Sequence, residues 1–330
     1  MSGALCWIYG EKMQKKSKVL VTGGSGFLGS HLIKKLLHEG REVHVVDIRD
    51  CPNKTVSYTK GDVRDRALMK RLVKDMTCVF HLASVVPQSK IAPEEYHDVI
   101  VNGTASVLEA CLTHNIKMVH VSSSGVYGVN RDGIVKEHDA KKPMGYYGTA
   151  KWAAELKCQE YVTKGAQVVI VRPMAIIGER LYGVFLKFLD FVQKGYPLVT
   201  FGNGSNKIQL VSAGDCANGL LCAEKYKKSG EVFNLGSENI PTVREEFQAL
   251  VTHARSGSPI IPIPIMLARG IFKTLHWLHL SPLTPEHYYM LDKNSILDIT
   301  KAKKLLKWKP KDNNTLMMQE AYDWYVKEKQ

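Results

Sequence analysis

A glycine-rich run directly after a strand-like apolar segment is the feature that most constrains the fold of this chain. Residues 21–29 read VTGGSGFLG; the apolar segment Lys18–Val21 precedes them, and apolar residues recur at helical spacing through Ser30–Leu37. A strand, a tight glycine turn and a helix N-terminus together present backbone N–H groups and the positive end of a helix dipole. The sequence therefore predicts a cradle for a phosphate group at this turn.

Strand-like and helix-like segments alternate through the rest of the N-terminal half. The predicted strands are Lys18–Thr22, Glu42–Asp47, Thr77–Ala83, Met118–Ser122 and Val168–Arg172, with a short strand before Gly61, and the predicted helices are Ser25–Glu39, Arg66–Lys74, Asp98–His114 and Tyr147–Thr163. This alternation is typical of an α/β fold whose doubly wound parallel sheet is covered by helices on both faces. After Pro173 the loops become rich in glycine and proline, which indicates a smaller C-terminal region.

Composition bears on the compartment and the partners of the chain. No uninterrupted apolar stretch reaches about 18 residues, and the N-terminus lacks the pattern of a signal peptide. The seven cysteines are scattered, without a CxxC pair or metal-ligand spacing, so we expect a cytoplasmic protein without a metal site. The net charge of +13 comes from lysines in short, separated clusters. We expect solvated helix faces and no nucleic-acid partner, the alternative being attraction to an anionic membrane or an acidic substrate.

The glycine spacing and the next acidic residue predict a dinucleotide site. Gly23, Gly26 and Gly29 follow a GxxGxxG pattern, in which the first glycine allows the turn, the second admits a pyrophosphate, and the third lets helix and strand pack closely. Asp47 ends the next strand, 18 residues after Gly29. A carboxylate there can accept both ribose hydroxyls of the adenosine and repels a 2′-phosphate, which favours NAD over NADP. Arg49 can weaken that preference.

Hydroxyl groups and a tyrosine–lysine pair follow later strands. Residues 122–128 read SSSGVYG, and Tyr147 precedes Lys151 by four positions, so both side chains would lie on one helix face. A tyrosine with its free pKa of about 10 is a poor base at neutral pH, but a nearby ammonium and an oxidised nicotinamide favour the phenolate. A serine hydroxyl can hold the reacting oxygen. The pattern predicts acid–base catalysis on an alcohol or a carbonyl group.

The motifs TGGSGFLG, VVDIRD, GDVRD, HLAS, VNGT, SSSGVYG, YGTAK and VRPMAIIG, in this order, resemble those of the extended short-chain dehydrogenase/reductase family, also called the NAD-dependent epimerase/dehydratase family. The resemblance covers residues 18–308 and implies a Rossmann-like fold. It implies that Tyr147 is the general acid/base and that Lys151 is its electrostatic partner, which also holds the nicotinamide ribose. It places the catalytic hydroxyl at Ser123, with Ser122 and Ser124 as competitors.

The predicted site residues combine the motifs with this resemblance. Asp62 and Val63 would flank the adenine, Asn102 matches a family asparagine near the cofactor, and Pro173 follows the strand that faces the nicotinamide. The predicted cofactor-binding residues are Gly23, Ser25, Gly26, Phe27, Leu28, Gly29, Asp47, Ile48, Arg49, Asp62, Val63, Leu82, Ala83, Ser84, Asn102, Ser122, Tyr147, Lys151, Pro173 and Met174. The predicted substrate-binding residues are Val85, Ser124, Ala175 and Ile176.

We predict three parts in the chain. These are an N-terminal extension at 1–17, an NAD(P)-binding Rossmann domain at 18–173 that includes the serines and the YxxxK motif, and a mainly substrate-binding region at 174–330 from which some segments return to the sheet. Members of the family often dimerise through a helix bundle. The resemblance therefore implies a homodimer, with Asp98–His114 and Tyr147–Thr163 as candidate interface helices.

Departures from the sugar-nucleotide members of the family bear on the substrate. Dehydratases and decarboxylases carry acidic residues where this chain has Ser-Gly at 124–125, which argues against 4,6-dehydration. Ile208 stands where sugar-nucleotide epimerases place an arginine for the diphosphate, and no arginine lies near Tyr288, where a second one would fall. Lys207 or Arg180 can substitute for these arginines.

The segment 262–280 is unusually apolar. As a helix it would place Arg269, Lys273 and His276 on one face. This pattern is typical of a helix that lies on a membrane surface or covers an apolar pocket. The alternative is a core helix packed against the sheet. From this segment through PLTPEHYYML to ILDITKAKKLLKWKP, the chain resembles the C-terminal end of the 3β-hydroxysteroid and sterol dehydrogenase branch of the family.

These observations lead to one function and two alternatives. We expect an NAD-dependent dehydrogenase or reductase that acts on a secondary alcohol of a hydrophobic, sterol-like or lipid-like substrate. The first alternative is a nucleotide-sugar 4-epimerase, which uses the same chemistry without net formation of NADH. The second is a non-catalytic NAD-binding sensor, against which the intact pair of Tyr147 and Lys151 argues.

Overall fold

The predicted strands form a parallel sheet. The structure is a computed structural model that describes residues 17–87, 89, 91–128, 133–179, 184–278 and 292–329. Its strands are β1 (Lys18–Thr22), β2 (Glu42–Asp47), β3 (Ser57–Lys60), β4 (Cys78–His81), β5 (Lys117–Val121), β6 (Ile134–Val135), β7 (Val168–Pro173), β8 (Ala175–Ile177), β9 (Leu198–Phe201), β10 (Leu210–Ser212), β11 (Glu231–Leu235), β12 (Ile260–Ile263) and β13 (Ile296–Leu297). Within the described ranges, seven of them pair in parallel in the order β11-β7-β5-β4-β1-β2-β3.

Helices connect these strands. They are α1 (Phe27–His38), α2 (Arg66–Val73), α3 (Pro93–His97), α4 (Gly103–His114), α5 (Gly145–Thr163), α6 (Val184–Gln193), α7 (Ala213–Lys225), α8 (Val243–His253), α9 (Ile265–Trp277) and α10 (Asn314–Lys329), with π-helical turns at Asp98–Asn102 and Ala302–Leu306 and a 3₁₀ turn at Ser124–Tyr127. Residues 1–16 of the predicted extension, Arg180, Tyr288 and the end of the apolar segment at 279–280 lie outside the described residues.

Several element boundaries differ from the sequence-based prediction. The predicted strand Thr77–Ala83 ends at His81, because Ala83 N donates to the Thr22 side chain at 3.2 Å instead of continuing the ladder. Helix α1 begins at Phe27, two residues later than predicted, because Gly26 is an extended N-cap with φ −80° and ψ 175°.

Three further elements also differ from the prediction. The predicted helix Asp98–His114 is divided by the π-helical turn at Asp98–Asn102. There the Thr104 hydroxyl donates to the Ile100 carbonyl at 2.5 Å, so this carbonyl has a side-chain partner besides the backbone N–H groups of the helix. Helix α5 begins at Gly145, two residues before the predicted start, and β5 runs one residue earlier than predicted.

The core lies on both faces of the sheet. Because successive strand residues point to opposite faces, Val19 and Phe80 pack with α1 and α7, while Leu20, Val79 and Met118 pack with α2, α4 and α5. A parallel sheet covered on both faces has strands that read as continuous apolar runs, which is why these strands could be located from sequence. The carboxyl ends of β1, β2, β4, β5 and β7 meet at one edge, where ligands of such sheets bind.

The chain after residue 173 both returns to the sheet and builds a separate layer. Strand β11 pairs with β7 at the edge of the sheet, whereas β8 pairs with β10 and β9 with β12 outside it. A further apolar cluster joins Ile177 and Leu198 to α6, α8 and α10. This layer follows directly from the end of β7, so it stands beside the edge that carries the predicted site.

Helix α9 presents an apolar surface to solvent. Within α9, whose residues are all described, Ala268 alone is buried, and Met266 and Trp277 are each 78% exposed. Leu267 and Ile271 are also exposed, and Arg269 donates to Asp292 at 2.8 Å. The alternative of a core helix packed against the sheet is therefore wrong. Among the described helices, none is long and apolar enough to cross a bilayer.

Candidate active site

The glycine turn after β1 is shaped by close backbone approaches. Gly23 has φ +70°, and a Cβ atom on it would lie 2.6 Å from Ala83 N. A Cβ atom on Gly29 would lie 2.6 Å from Gly23 O, and one on Gly26 would lie 3.1 Å from the same oxygen. Gly24, which the motif does not specify, is constrained as well, because its Cβ would lie 2.7 Å from the Val45 side chain. The turn therefore has little room for a side chain at any of these four glycines.

The N-terminus of α1 faces this turn. Gly26 is the N-cap and has no side chain to accept from the first N–H groups of the helix. An α-helix leaves these N–H groups without partners inside the helix, so its N-terminus is suited to bind an anion. Leu28 is buried and Phe27 is half-buried at the first helical positions, which anchors the helix end against the core. The structure thus brings the glycine turn and the N-terminus of α1 together at the end of β1.

Asp47 joins the end of β2 to the glycine turn. Its buried carboxylate accepts Ser25 N through Oδ2 and Arg49 N through Oδ1, each at 3.0 Å. The Arg49 side chain is 61% exposed, with Nε 3.7 Å from Asp47 Oδ1, and the neighbouring Ile48 is exposed. A fixed carboxylate beside the glycine turn is what recognition of ribose hydroxyls requires.

The loop after β3 is held by an ionic network. Arg64 donates to both carboxylate oxygens of Asp62 and to Asp98, which in turn accepts from Asn102 Nδ2 at 2.8 Å. The Arg64 guanidinium holds the pKa of Asp62 below its usual range. Val63 is buried beneath α4, where a Cβ on Gly103 would lie 2.7 Å from the Val63 side chain. The structure thus brings Asp62 and Asn102 into one network.

Tyr147 and Lys151 lie one turn apart on α5. Lys151 Nζ is 5.9 Å from the centroid of the Tyr147 ring and donates to Val121 O, at the end of β5, at 2.9 Å. Lys151 is 3% exposed, and burial lowers its pKa to about 8, an effect that the Glu155 carboxylate opposes. The ammonium therefore lies beside the phenol ring at the carboxyl edge of the sheet.

The three candidate serines have different surroundings. Ser122 Oγ donates to the buried Glu155 carboxylate and so points into the interior. Ser123 Oγ accepts Gly125 N at 3.1 Å, and a methyl group on Gly125 would lie 3.4 Å from Ser123 Oγ and 3.8 Å from Tyr147 Cε1. Ser124 begins the 3₁₀ turn and is half-buried. The hydroxyl of Ser123 and the ring of Tyr147 thus flank the same point.

Four further predicted residues follow β4. Leu82 N donates to Thr22 O at 3.1 Å, which holds the chain against β1. Ala83 is close to Gly23, and the Ser84 hydroxyl donates to Val85 O at 2.9 Å. The Val85 side chain packs in the same apolar cluster as Tyr147, so this predicted substrate residue lies near α5.

The residues after β7 lie at the same edge of the sheet. Pro173 ends β7, and Met174 is buried, with its N–H donating to Leu235 O at 2.9 Å. Ala175 is exposed and Ile176 is half-buried on β8. Ile208, which stands in place of an epimerase arginine in the sequence motif, is half-buried and forms an isolated β-bridge with Ser295.

Sequence reasoning missed two groups of buried polar residues. One comprises Glu155, Arg172 and Tyr127. The sequence signal for this group was Arg172, a charged residue inside the otherwise apolar strand β7. The other is His81, which contacts the Thr22 and Thr104 hydroxyls at 2.7 and 3.0 Å and stacks on His120 at 5.4 Å. Burial lowers the pKa of His81 to about 3, so its ring is neutral near Lys151.

Comparison with known proteins places these motifs in a family. The model of the NAD dependent epimerase/dehydratase family matches residues 19–236. The uncharacterized protein y4nG of Sinorhizobium fredii is 34% identical over 93% of this chain and 78% of its own length. The sterol-4-alpha-carboxylate 3-dehydrogenase (decarboxylating) of Mus musculus is 28% identical over 90% of this chain and 88% of its own length. The crystal structure of UDP-glucose 4-epimerase from Thermotoga maritima with UDP-glucose superposes with a TM-score of 0.80 at 25% identity, covering 95% of this chain and all of that one.

Proposed function

The chain belongs to the NAD dependent epimerase/dehydratase family, and on this premise we propose that it is an NAD-dependent oxidoreductase acting on a secondary alcohol of a hydrophobic, sterol-like or lipid-like substrate. The observation that carries the proposal is the arrangement of Tyr147, Lys151 and Ser123 at the sheet edge that also holds the glycine turn. The exposed apolar surface of α9, the apolar Ile208 and the sterol dehydrogenase relative support the substrate class.

The residues at the sheet edge fit NAD. The glycine cradle and the N-terminus of α1 would hold the pyrophosphate, Asp47 would accept from the adenosine ribose, and Asp62 and Val63 would border the adenine. Lys151 would also contact the nicotinamide ribose. When bound, NAD would supply the hydride acceptor for the carbon that bears the alcohol. We accordingly assign residues 18–173 to cofactor binding and residues 174–330 mainly to substrate binding.

The protein's own groups would move the proton. Ser123 Oγ would hold the substrate oxygen while Tyr147 removes its proton. The Lys151 ammonium favours the phenolate form of Tyr147, and it is charged below its pKa of about 8 and neutral above it. Activity that depends on this charge is therefore expected to fall as the pH rises through about 8.

Replacing Asp47 with asparagine tests the cofactor preference. The substitution removes the charge that repels a 2′-phosphate but leaves Arg49 beside the site, so the ratio of kcat/KM for NAD to that for NADP should fall about tenfold or more. Asp50→Asn is the matched control, because Asp50 lies in the same loop with its side chain 80% exposed and paired with Lys60. A ratio that changes equally in the two variants would contradict the role of Asp47.

The proposal includes a cytoplasmic homodimer that contacts membrane surfaces through residues 262–280. The described cysteines are all free, in agreement with a reducing compartment. The dimer would pair α4 and α5, where Leu156 is 51% exposed. The membrane contact would use the exposed apolar side chains of α9, beside the exposed Lys273 and His276.

Vesicle binding tests the membrane contact. We expect the protein to sediment with phosphatidylserine-containing vesicles, and the double variant Met266→Gln/Trp277→Gln to bind at least about tenfold more weakly, because two fully available apolar side chains are lost. Leu316→Gln on α10, where the leucine is 40% exposed, is the control. If the wild type and the double variant bound the vesicles equally, the membrane contact through α9 would be contradicted, and α9 would instead be read as a cover over the substrate pocket.

The epimerase alternative is favoured by the Thermotoga maritima structure, which holds UDP-glucose and has the same fold. A substrate panel separates the two functions. NAD is supplied with 3β-hydroxysteroids and, separately, with UDP- and GDP-sugars, with NADH followed by absorbance and sugars by chromatography. Net NADH from a steroid or lipid alcohol supports the proposed function, whereas a converted sugar nucleotide without NADH establishes the epimerase. NAD binding without turnover of either class would indicate a sensor.

A further inference from the structure

A buried ion pair contacts both ends of the segment 122–127, which carries the candidate serines. Arg172 donates to Glu155 through Nε at 2.8 Å and through Nη2 at 2.5 Å, and both side chains are 2% exposed. Glu155 lies on α5 one turn after Lys151, and Arg172 lies near the end of β7. The pair therefore joins the catalytic helix to the strand that ends at the site.

Both ends of the segment 122–127 are attached to this pair. At one end, the Ser122 hydroxyl donates to Glu155, and Ser122 N donates to Val171 O at 2.8 Å. At the other end, Arg172 Nη1 donates to the Tyr127 hydroxyl at 2.7 Å, and that hydroxyl donates to Asn234 at 2.8 Å. Ser123 and Gly125 lie between the two attachments, and a Cβ atom on Gly125 would lie 3.8 Å from the Tyr147 ring.

The pair also bears on the charge of Lys151. In the described part of the chain, the titratable groups around Lys151 include Tyr147, Glu155 and Cys158 on α5, His81 on β4 and His120 on β5. Burial raises the pKa of Cys158 and lowers the pKa of each histidine, so these three are neutral. The Glu155 carboxylate raises the pKa of Lys151 against the effect of burial.

Stability alone does not explain such a pair. A buried ion pair often contributes no more stability than well-packed apolar residues of similar volume, because both charges lose their hydration. A buried polar network whose members are all satisfied can instead fix one geometry. In this protein the network fixes the position of the segment 122–127 relative to the Lys151 ammonium.

We propose that Glu155 is a positioning residue of the active site: through Ser122 and Arg172 it holds the segment that carries Ser123 in place beside Tyr147, and it sets a carboxylate one helical turn from Lys151. This proposal rests on the proposed function, because it assigns a role to the same site. It predicts that loss of the carboxylate changes the acid–base behaviour of the site and not only the stability of the fold.

Glu155→Gln is the test variant, and Glu224→Gln is its matched control. Glu224 on α7 also forms a bidentate ion pair, in which the two terminal nitrogens of Arg41 each lie 2.6 Å from one Glu224 carboxylate oxygen. Both of these side chains are largely buried. We expect Glu155→Gln to lower kcat at least about tenfold with little change in the KM for NAD, and to move the alkaline limb of the pH profile down by about one pH unit. Glu224→Gln should lose stability but keep the wild-type profile.

Glu155→Asp keeps the test decisive if Glu155→Gln does not fold. Glu155→Asp retains the negative charge, so the alkaline limb of the pH profile should return towards its wild-type position. Its shorter side chain withdraws the carboxylate from Ser122 and Arg172, so kcat should stay reduced. A Glu155→Asp enzyme with wild-type kcat, or a Glu155→Gln enzyme whose profile matches that of Glu224→Gln, would overturn the proposal.

A titration without substrate or cofactor separates this proposal from the proposed function. The lysine ¹³Cε resonances are followed by NMR against pH, and Lys151 is identified by the signal lost in Lys151→Met. We expect Lys151 to titrate at lower pH in Glu155→Gln than in the wild type. An unchanged titration would refute the role of Glu155, whereas a shifted titration in a protein that turns over no alcohol would refute only the proposed function.

Discussion

Replacing Tyr147 with phenylalanine is expected to lower kcat about 10²- to 10⁴-fold, the range typical for loss of a general acid or base. The ring remains beside Lys151 and Gly125, so the fold and the glycine cradle should not change. NAD affinity, measured by calorimetry, should therefore stay close to that of the wild type. The loss should appear equally in kcat and kcat/KM, because the missing proton transfer belongs to the transition state.

The neighbouring tyrosine provides the control for this variant. Tyr146 is 63% exposed, and its ring packs against Tyr96 at 6.3 Å. Tyr146→Phe keeps that ring contact and removes a hydroxyl at the adjacent position of the same helix, so kcat should not change. If Tyr147→Phe retained full activity, or if both variants lost activity equally, the assignment of Tyr147 as the acid/base would be wrong.

The second large effect is expected at Gly29, where α1 packs on the glycine turn. A Cβ atom there would lie 2.6 Å from Gly23 O and from Gly24 Cα, which are backbone atoms that cannot move without opening the turn. Gly29→Ala should therefore lower the free energy of unfolding by about 3 kcal/mol. In the fraction that folds, NAD affinity should fall at least about tenfold, because the glycine turn proposed to bind the pyrophosphate would be displaced.

A glycine without close neighbours shows whether the effect is local. Apart from its two chain neighbours, no described residue has an atom within 4 Å of a Cβ built on Gly257, and the φ of Gly257 is not positive. Gly257→Ala should change the free energy of unfolding by no more than about 0.5 kcal/mol and leave NAD affinity unchanged. Urea denaturation and calorimetry on both variants separate stability from binding. Wild-type stability and affinity in Gly29→Ala would show that the turn does not depend on this close approach.

The parts of the fold that sequence reasoning located are those whose causes are local. Strands β1 and β2 begin and end where predicted, because each is an apolar run bounded by a turn residue. The glycine turn could be predicted because its motif states which positions exclude a side chain. The relation of Tyr147 to Lys151 could be predicted because four residues make about one helical turn.

The parts that could not be located depend on contacts between distant segments. Glu155 and Arg172 are separated in sequence by a helix end, a turn and most of a strand, so no local pattern pairs them. The end of β4 depends on the Thr22 side chain, and the start of α1 on the backbone of Gly26. Helix α9 has the composition of a core helix, and only its position outside the sheet shows that its apolar residues face solvent.

The transfer of a labelled hydrogen tests the central claim most directly. The alcohol that gives the fastest net formation of NADH is prepared with deuterium on the carbon that bears the hydroxyl, and the nicotinamide product is analysed by mass spectrometry. Direct transfer at the site of Tyr147 and Lys151 predicts one deuterium in the reduced nicotinamide, with the same label absent when Tyr147→Phe is used for the same time. Deuterium found in water or retained in the recovered substrate, with no label in the nicotinamide, would contradict it.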